Sequence, residues 1–111
     1  MPPLTSQWLL LLALCLGSTA SAQEPALFKN ADLKLGQRLI AENKCAECHA
    51  RNWADDGNAI YRPKGRINTP ALLQGMVERC SSELSLNLFP EEITAISAAL
   101  NHAHYKFRDA P

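Results

Sequence analysis

The sequence lacks net charge and lacks any long apolar stretch. Its eleven basic and eleven acidic side chains balance to a formal charge of zero, so it has no basic footprint for nucleic acid and no strong steering by net charge. The unbroken apolar run at residues 8–17 is too short to span a bilayer as a helix. We therefore expect neither a nucleic-acid partner nor a stable membrane span in the mature protein.

The N-terminal segment has no lysine or arginine before its apolar run, but otherwise it has the form of a signal peptide. The run is followed by "STASA", in which Ala20 and Ala22 form the A-x-A pattern of a cleavage site. We predict that residues 1–22 are a signal peptide and that residues 23–111 form one domain, secreted to a bacterial periplasm. An uncleaved anchor is the alternative, because only the α-amino group supplies positive charge.

The cysteines are few, and their number is odd once Cys15 leaves with the signal peptide. A mature chain of 89 residues (111 minus 22) buries a modest core, and it usually needs disulfides, a metal or a large apolar cofactor. The three remaining cysteines are Cys45, Cys48 and Cys80. They cannot all pair with one another in an oxidising compartment, so a purely disulfide framework does not fit.

Two of these cysteines lie in "NKCAECHARNW", residues 43–53, where His49 directly follows Cys48. C-x-x-C-H is the attachment signal of a c-type haem. With two residues between them, the thiols of Cys45 and Cys48 reach both vinyl groups from one helical turn, and His49 is carried beneath the ring to ligate iron. The motif predicts one covalent haem c with His49 as the proximal iron ligand.

Two other chemistries use a C-x-x-C pair. A thioredoxin-like redox pair needs a β-strand leading into the motif, and no strand-like pattern precedes Cys45. A zinc site needs four ligands, which the three cysteines could complete with His102 or His104. That set leaves His49 without a role, so the haem is the preferred interpretation.

Three segments predict helices. Leucines, Gly36 and Ile40 at helical spacing predict a helix from about Asp32 to Lys44, and "TPALLQGMVER" predicts a short helix from Thr69 or Pro70 to Arg79. The short helix is expected to place Leu72, Leu73, Met76 and Val77 on one apolar side. The third helix starts at Pro90, with Ile93, Ile96, Leu100 and Phe107 facing inward and Glu92 and Asn101 facing water.

The C-x-x-C-H motif lies between the first and the second of these helices. Together, the motif and the three helices resemble class I cytochromes c over nearly the whole mature chain. The resemblance implies an all-α fold of three to four helices wrapped around one haem. It also implies that the N-terminal helix crosses the C-terminal one at Gly36, against Ile96, Leu100 or Tyr105. In that family a proline carbonyl accepts a hydrogen bond from the ligating histidine, and Pro63 is the expected residue here, with Pro70 in reserve.

The segment between the motif and the short helix predicts a long irregular loop that could wrap a haem. Several of its side chains could donate hydrogen bonds to haem propionates, although solvation is the preferred interpretation for each one alone. These side chains are Trp53, Tyr61, Arg62, Lys64 and Arg66.

The sixth iron ligand stays open at the level of the sequence. Class I carriers place a methionine in the loop before the last helix, whereas that window here holds Cys80, Ser81 and Ser82, and Met76 lies in the predicted short helix. "MVERCSSEL" is similar to the segment of thiosulfate dehydrogenases and SoxA proteins in which a cysteine thiolate ligates iron. Cys80 is the first candidate and Met76 the second.

Other candidates for the sixth position are an open site, water, Asn87 or a histidine, although His102 and His104 are expected to lie too far along the last helix. The interval from Cys80 to Pro90 is similar to that in the sphaeroides haem protein family, which binds oxygen. In this chain Ser81 stands where the ligating asparagine of that family would fall.

These features predict a periplasmic monohaem cytochrome that transfers single electrons between redox partner proteins, rather than an enzyme. The alternative is a haem protein with an open or displaceable sixth site. Such a protein would bind a diatomic gas or act in sulfur-compound redox chemistry.

Overall fold

In this computed structural model the described residues are 23–46, 49 and 60–110. The predicted signal peptide, Cys48 and Trp53 lie outside the described residues. None of the helices in the described ranges combines the length and the apolar character needed to cross a bilayer.

The described part of the chain is built from three α-helices. They are α1 at Leu33–Glu42, α2 at Pro70–Glu83 and α3 at Pro90–Leu100. A 3₁₀ turn at Ala26–Phe28 precedes α1, and a π-helical turn at Asn101–Tyr105 continues α3. Within the described ranges, the β-type pairing is limited to an isolated bridge between Gln23 and Asp109. The predicted all-α class is confirmed for this part of the chain.

Helix α1 begins and ends at capping residues. The Asp32 carboxylate accepts a hydrogen bond from the Leu35 backbone N–H at 2.9 Å, which satisfies a donor of the first turn. Asn43 follows the last helical residue, and Lys44 adopts a left-handed φ of 53° that ends the helix. The predicted helix is confirmed, with its end residues acting as caps, and the chain turns directly before Cys45.

Helix α3 is the central helix, because α1, α2 and the 3₁₀ turn all contact it. Its predicted inward residues Ile93, Ile96 and Leu100 are buried, as expected. Ala95, Ser97, Ala98 and Ala99 are buried as well, whereas Thr94 is half-buried. The second half of the helix is thus buried on all sides and lies inside the fold, so the predicted single inward stripe describes only the first half.

Helix α1 crosses α3 at Gly36. A Cβ atom placed at Gly36 would overlap the carbonyl group of Ala95 and come within 2.9 Å of Ala99 Cβ. Only glycine permits this approach of the two backbones. The crossing at Gly36 is as predicted, but the predicted partners were wrong. The nearest atoms belong to Ala95 and Ala99, because the smallest side chains of α3 form the crossing point.

The π-helical turn buries Asn101, although the sequence pattern predicts that it faces water. Asn101 is 3% exposed. Its Oδ1 accepts a hydrogen bond from the Phe107 backbone N–H at 2.8 Å, and its Nδ2 donates to the Phe107 carbonyl at 3.3 Å. The prediction was wrong because the α-helical period ends at Leu100. Beyond Leu100 the chain forms a π-helical turn, so the α-helical repeat of 3.6 residues no longer predicts which side chains face the core.

Helix α2 begins as predicted and ends later than predicted. Thr69 caps it, with a side-chain oxygen that accepts a backbone hydrogen bond at 3.2 Å, and Pro70 is its first residue. The predicted end at Arg79 was wrong, since the helix continues to Glu83 and no glycine or proline interrupts it. Cys80 therefore lies on α2 and not in the loop before α3.

Candidate functional site

The described residues of the C-x-x-C-H motif follow α1 directly. Cys45, Ala46 and His49 are all in helical conformation. Cys45 is a half-buried thiol. The half-buried His49 ring lies edge-on to the ring of Tyr61, with centroids 5.3 Å apart and an interplanar angle of 71°. Tyr61 is thus a direct neighbour of the predicted proximal ligand.

Tyr61 also contacts the end of the C-terminal helical segment. Its ring centroid lies 4.7 Å from that of His104 at an interplanar angle of 31°, and 6.1 Å from that of Tyr105 at 65°. Tyr105 in turn lies 5.3 Å from Phe107. His104 therefore belongs to the neighbourhood of the motif, although the sequence predicts that it lies too far along the last helix to approach the haem.

The electrostatic surroundings of Tyr61 keep its phenol neutral. Burial raises the pKa of Tyr61 far above the ordinary value of 10.0, and the negative charges that Cys45, Tyr105 and Cys80 carry when ionised raise this pKa further. One phenol is thus within electrostatic reach of a thiol of the motif and of a thiol on α2. Tyr61 links the motif to α2.

One face of α2 carries exposed apolar and sulfur atoms. Leu72, Met76 and Cys80 are spaced four residues apart and so lie on one side of the helix, which we name the sulfur face. Leu72 is 47% exposed and Met76 is 40% exposed, while Cys80 is half-buried. The Cys80 thiol donates a hydrogen bond to Met76 Sδ, with the two sulfurs 3.8 Å apart. Exposed apolar side chains grouped in this way favour a covering ligand or partner.

The apolar residues of α2 divide between two faces, which corrects the single apolar side that the sequence predicts. Leu73 is buried in the core and Val77 is half-buried against it. Leu72 and Met76 instead belong to the sulfur face. Consecutive helical residues are about 100° apart around the axis, so adjacent apolar residues reach different neighbours.

A small cleft opens beside Tyr61. It has a volume of about 160 Å³, and its walls include Ile40 on α1, Ala46 in the motif, Leu100 on α3 and His104. Binding sites for small organic ligands usually occupy about 300–1,000 Å³. The cleft could therefore take one edge of a large planar cofactor, and the rest of such a cofactor would need the open surface beside it.

The donor set fits a covalent haem. Cys45 supplies a thiol and His49 an imidazole, and each of these two residues is in helical conformation. The sulfur face offers a thiol and a thioether, which are the soft ligands that c-type and thiolate-ligated haems use.

The alternative zinc set is not assembled in the part of the chain that the structure describes. Among the described residues, no three His, Cys, Asp or Glu side chains are grouped closely enough to hold a metal ion by themselves. His104 comes from a different element than the motif and contacts Tyr61, which in turn contacts His49.

The loop after Tyr61 contains the proline that the family resemblance selects. Pro63 lies in an exposed turn that is closed by a backbone hydrogen bond of 3.1 Å. The expected hydrogen bond between its carbonyl and His49 stays a prediction. Three basic side chains of this loop are exposed, namely Arg62, Lys64 and Arg66.

A second cleft, of about 210 Å³, lies between α2 and the first half of α3. Ser81 is 6% exposed and lines this cleft together with Gln74, whose Oε1 is buried without a hydrogen-bond partner among the described residues. The resemblance to the sphaeroides haem protein family puts an iron ligand at the position of Ser81. In this chain Ser81 lies in the cleft toward α3 and not on the sulfur face. This location disfavours an iron ligand at residue 81.

In comparisons with known proteins, no family model, no curated sequence and no solved structure matches this chain. The assignment of the site therefore depends on its own residues, which are the motif, the rings around Tyr61 and the sulfur face of α2.

The sequence pattern contains no signal for the contact between Tyr61 and His104. The two residues are separated by a loop and two helices, and a histidine near a chain end is usually solvated. A histidine followed at once by an aromatic residue, as in "HAHYKF", is the only hint that this turn joins an aromatic cluster.

Proposed function

We propose that this protein is a periplasmic monohaem c-type cytochrome, similar to class I cytochromes c, that transfers single electrons between redox partner proteins. The observation that carries the proposal is the C-x-x-C-H motif, whose final residue His49 packs against Tyr61 in an aromatic cluster. Cys45 and Cys48 would hold the haem, and His49 would be the proximal ligand.

When bound, the haem supplies a one-electron couple between ferric and ferrous iron. The chain holds and shields it. Each thiol adds its S–H across one vinyl group, so no atom leaves and the cofactor stays attached. The rings of Tyr61 and Tyr105 would form apolar surroundings for His49, because Tyr61 contacts both His49 and Tyr105.

The sulfur face supplies the candidates for the distal ligand. A Cys80 thiolate would lower the reduction potential because it stabilises ferric iron, whereas a Met76 thioether would raise it. Their mutual hydrogen bond brings both sulfurs to one place on α2, which supports a sulfur ligand over water. Asn87 lies beyond the end of α2 in an exposed segment, with a left-handed φ of 53°.

Expression of the full chain with a haem-attachment system tests the proposal. The expected product is a secreted, coloured protein that carries the mass of one covalent haem. The double variant Cys45→Ala with Cys48→Ala should carry none, because both thioethers are lost. Cys80→Ala is the matched control, since it removes a thiol outside the motif and should leave the attached mass unchanged.

A colourless exported protein, or a Cys45→Ala and Cys48→Ala variant that keeps its covalent haem, would contradict the proposal. Carbon monoxide added to the ferrous protein separates electron transfer from gas binding. A sulfur-ligated carrier should keep its spectrum, whereas a protein with an open sixth site should show an immediate spectral change.

A further inference from the structure

Three rings from distant parts of the chain form a series at the motif. The His49 ring lies edge-on to the Tyr61 ring, with their centroids 5.3 Å apart. The Tyr61 ring also contacts the His104 ring, with centroids 4.7 Å apart. His49 comes from the segment after α1, Tyr61 from the loop before α2, and His104 from the π-helical turn after α3. One aromatic side chain thus connects the predicted iron ligand to the end of the central helix.

A histidine ring needs such a neighbour if its plane is to be fixed. The torsion that rotates an imidazole about its Cβ–Cγ bond has a broad energy profile without three sharp staggered wells. Contacts with surrounding groups therefore determine the ring plane. Aromatic pairs prefer edge-to-face geometry because the positive edge of one ring meets the negative face of the other, and the His49 and Tyr61 rings have that arrangement at 71°.

Tyr61 can serve this purpose because its own ring is held from several sides. His104 and Tyr105 both contact it. Tyr105 is 6% exposed and belongs to the hydrophobic core cluster, and Tyr61 packs against that cluster. The orientation of the Tyr61 ring is therefore tied to the core and not only to the surface loop that carries it.

We propose that Tyr61, supported by His104, is a positioning residue that fixes the plane of the His49 imidazole and thereby the orientation of the proximal ligand on the iron. This inference rests on the proposed haem attachment. The proposal assigns this role to the aromatic ring, because ring contacts join Tyr61 to His49 and to His104. The role is distinct from that of a carbonyl acceptor such as Pro63, which would hold the other ring nitrogen.

The test compares ferric holoprotein variants by electron paramagnetic resonance and by the hyperfine-shifted proton resonances of the His49 ring. Both signals depend on the orientation of the axial imidazole. Tyr61→Leu should shift them, and Tyr61→Phe should restore the wild-type values because it keeps the ring. Phe107→Leu is the matched control, since it removes an aromatic ring that contacts Tyr105 and leaves the contact between Tyr61 and His49 in place.

His104→Leu removes the supporting ring and leaves Tyr61 itself, so it should shift the same signals in the same direction by less. This variant also keeps the proposal testable if Tyr61→Leu fails to mature. Unchanged signals in Tyr61→Leu would overturn the proposal, and so would unchanged signals in His104→Leu if Tyr61→Leu fails to mature. An equal shift in Phe107→Leu would also overturn it. Absence of covalent haem in the wild-type protein would instead contradict the proposed function, so the two failures are distinguishable.

Discussion

The contact between α1 and α3 at Gly36 allows a sharp test of the fold. Gly36→Ala adds a single methyl group at the point where the two backbones are closest. That methyl would overlap the carbonyl group of Ala95 and lie 2.9 Å from Ala99 Cβ. Ala95 is fully buried and Ala99 is 4% exposed, so neither group can move away into solvent. The helices must separate instead.

The net effect is the difference of two opposing terms. Overpacking a well-packed core costs about 1–3 kcal/mol, and a clash with backbone belongs at the upper end of that range. Replacement of glycine by alanine inside a helix returns about 1 kcal/mol of helix propensity. We therefore expect Gly36→Ala to lower the free energy of unfolding by about 2 kcal/mol. For a domain of this size that corresponds to a loss of about 8–16 °C in Tm.

Thermal unfolding followed by circular dichroism, on the protein as purified, measures this change. Gly75→Ala is the matched control, because Gly75 lies on α2 with nothing within 4 Å of the position that a Cβ would take. The control should gain about 0.5–1 kcal/mol, since only the helix-propensity term applies. The same substitution is thus expected to have opposite signs at the two glycines.

A Gly36→Ala protein with the wild-type Tm, or a higher one, would refute this reasoning. It would mean that α1 does not cross α3 at that residue, or that the crossing relaxes at little cost. Gly36→Val would then decide between these two explanations. Its larger side chain cannot be accommodated by a small helix displacement, so it destabilises the protein if the crossing exists.

Three further predictions concern the site and the end of α3. Cys80→Ala should raise the reduction potential, because a thiolate ligand stabilises ferric iron, and Met76→Ala should change the potential little. Protein-film voltammetry measures both potentials. A lower potential in Met76→Ala with an unchanged potential in Cys80→Ala would assign Met76 as the distal ligand. Asn101→Ala should lower the free energy of unfolding by about 1–3 kcal/mol, because it leaves the Phe107 backbone groups without their partner; an unchanged urea midpoint would argue against this. Burial raises the pKa of Tyr105 above its ordinary value of 10.0, so the unfolded chain releases this proton at lower pH than the folded one. The contribution of Tyr105 to the free energy of unfolding is then fully present below about pH 10 and is lost above it. Tyr105→Phe should reduce this loss of stability at alkaline pH, and an unchanged dependence of stability on pH would contradict the prediction.

The local features of this fold were predictable from the sequence. Pro90 and the capping residues Asp32 and Thr69 fixed the starts of the three helices, because a helix start depends on the residues that satisfy its first backbone donors. The helical spacing of apolar residues predicted the three helices, and the resemblance to class I cytochromes c implied the all-α class, with which the structure agrees in the described ranges. The end of α2 was missed, because no breaker residue stands between Arg79 and Glu83 to mark it.

The candidate site was only partly predictable. The C-x-x-C-H motif is legible in the sequence because its chemistry requires a fixed local spacing, and the sulfur candidates Cys80 and Met76 were recognised as residue types. The hydrogen bond between Cys80 and Met76 could not be predicted, because the sequence did not indicate that α2 extends through Cys80. The neighbourhood of His49 could not be predicted, because Tyr61 and His104 reach it through the path of a loop and a π-helical turn.

The sequence by itself determined where the helices begin, where the C-x-x-C-H motif lies and which residues are apolar enough to be buried, since these properties depend on neighbours within about one helical turn. Only the tertiary structure decided that Gly36 meets Ala95 and Ala99, and that Leu72 and Met76 stay exposed while Leu73 enters the core. Those outcomes depend on the distance and rotation between whole helices, and that geometry is a property of the packed chain that no local pattern contains.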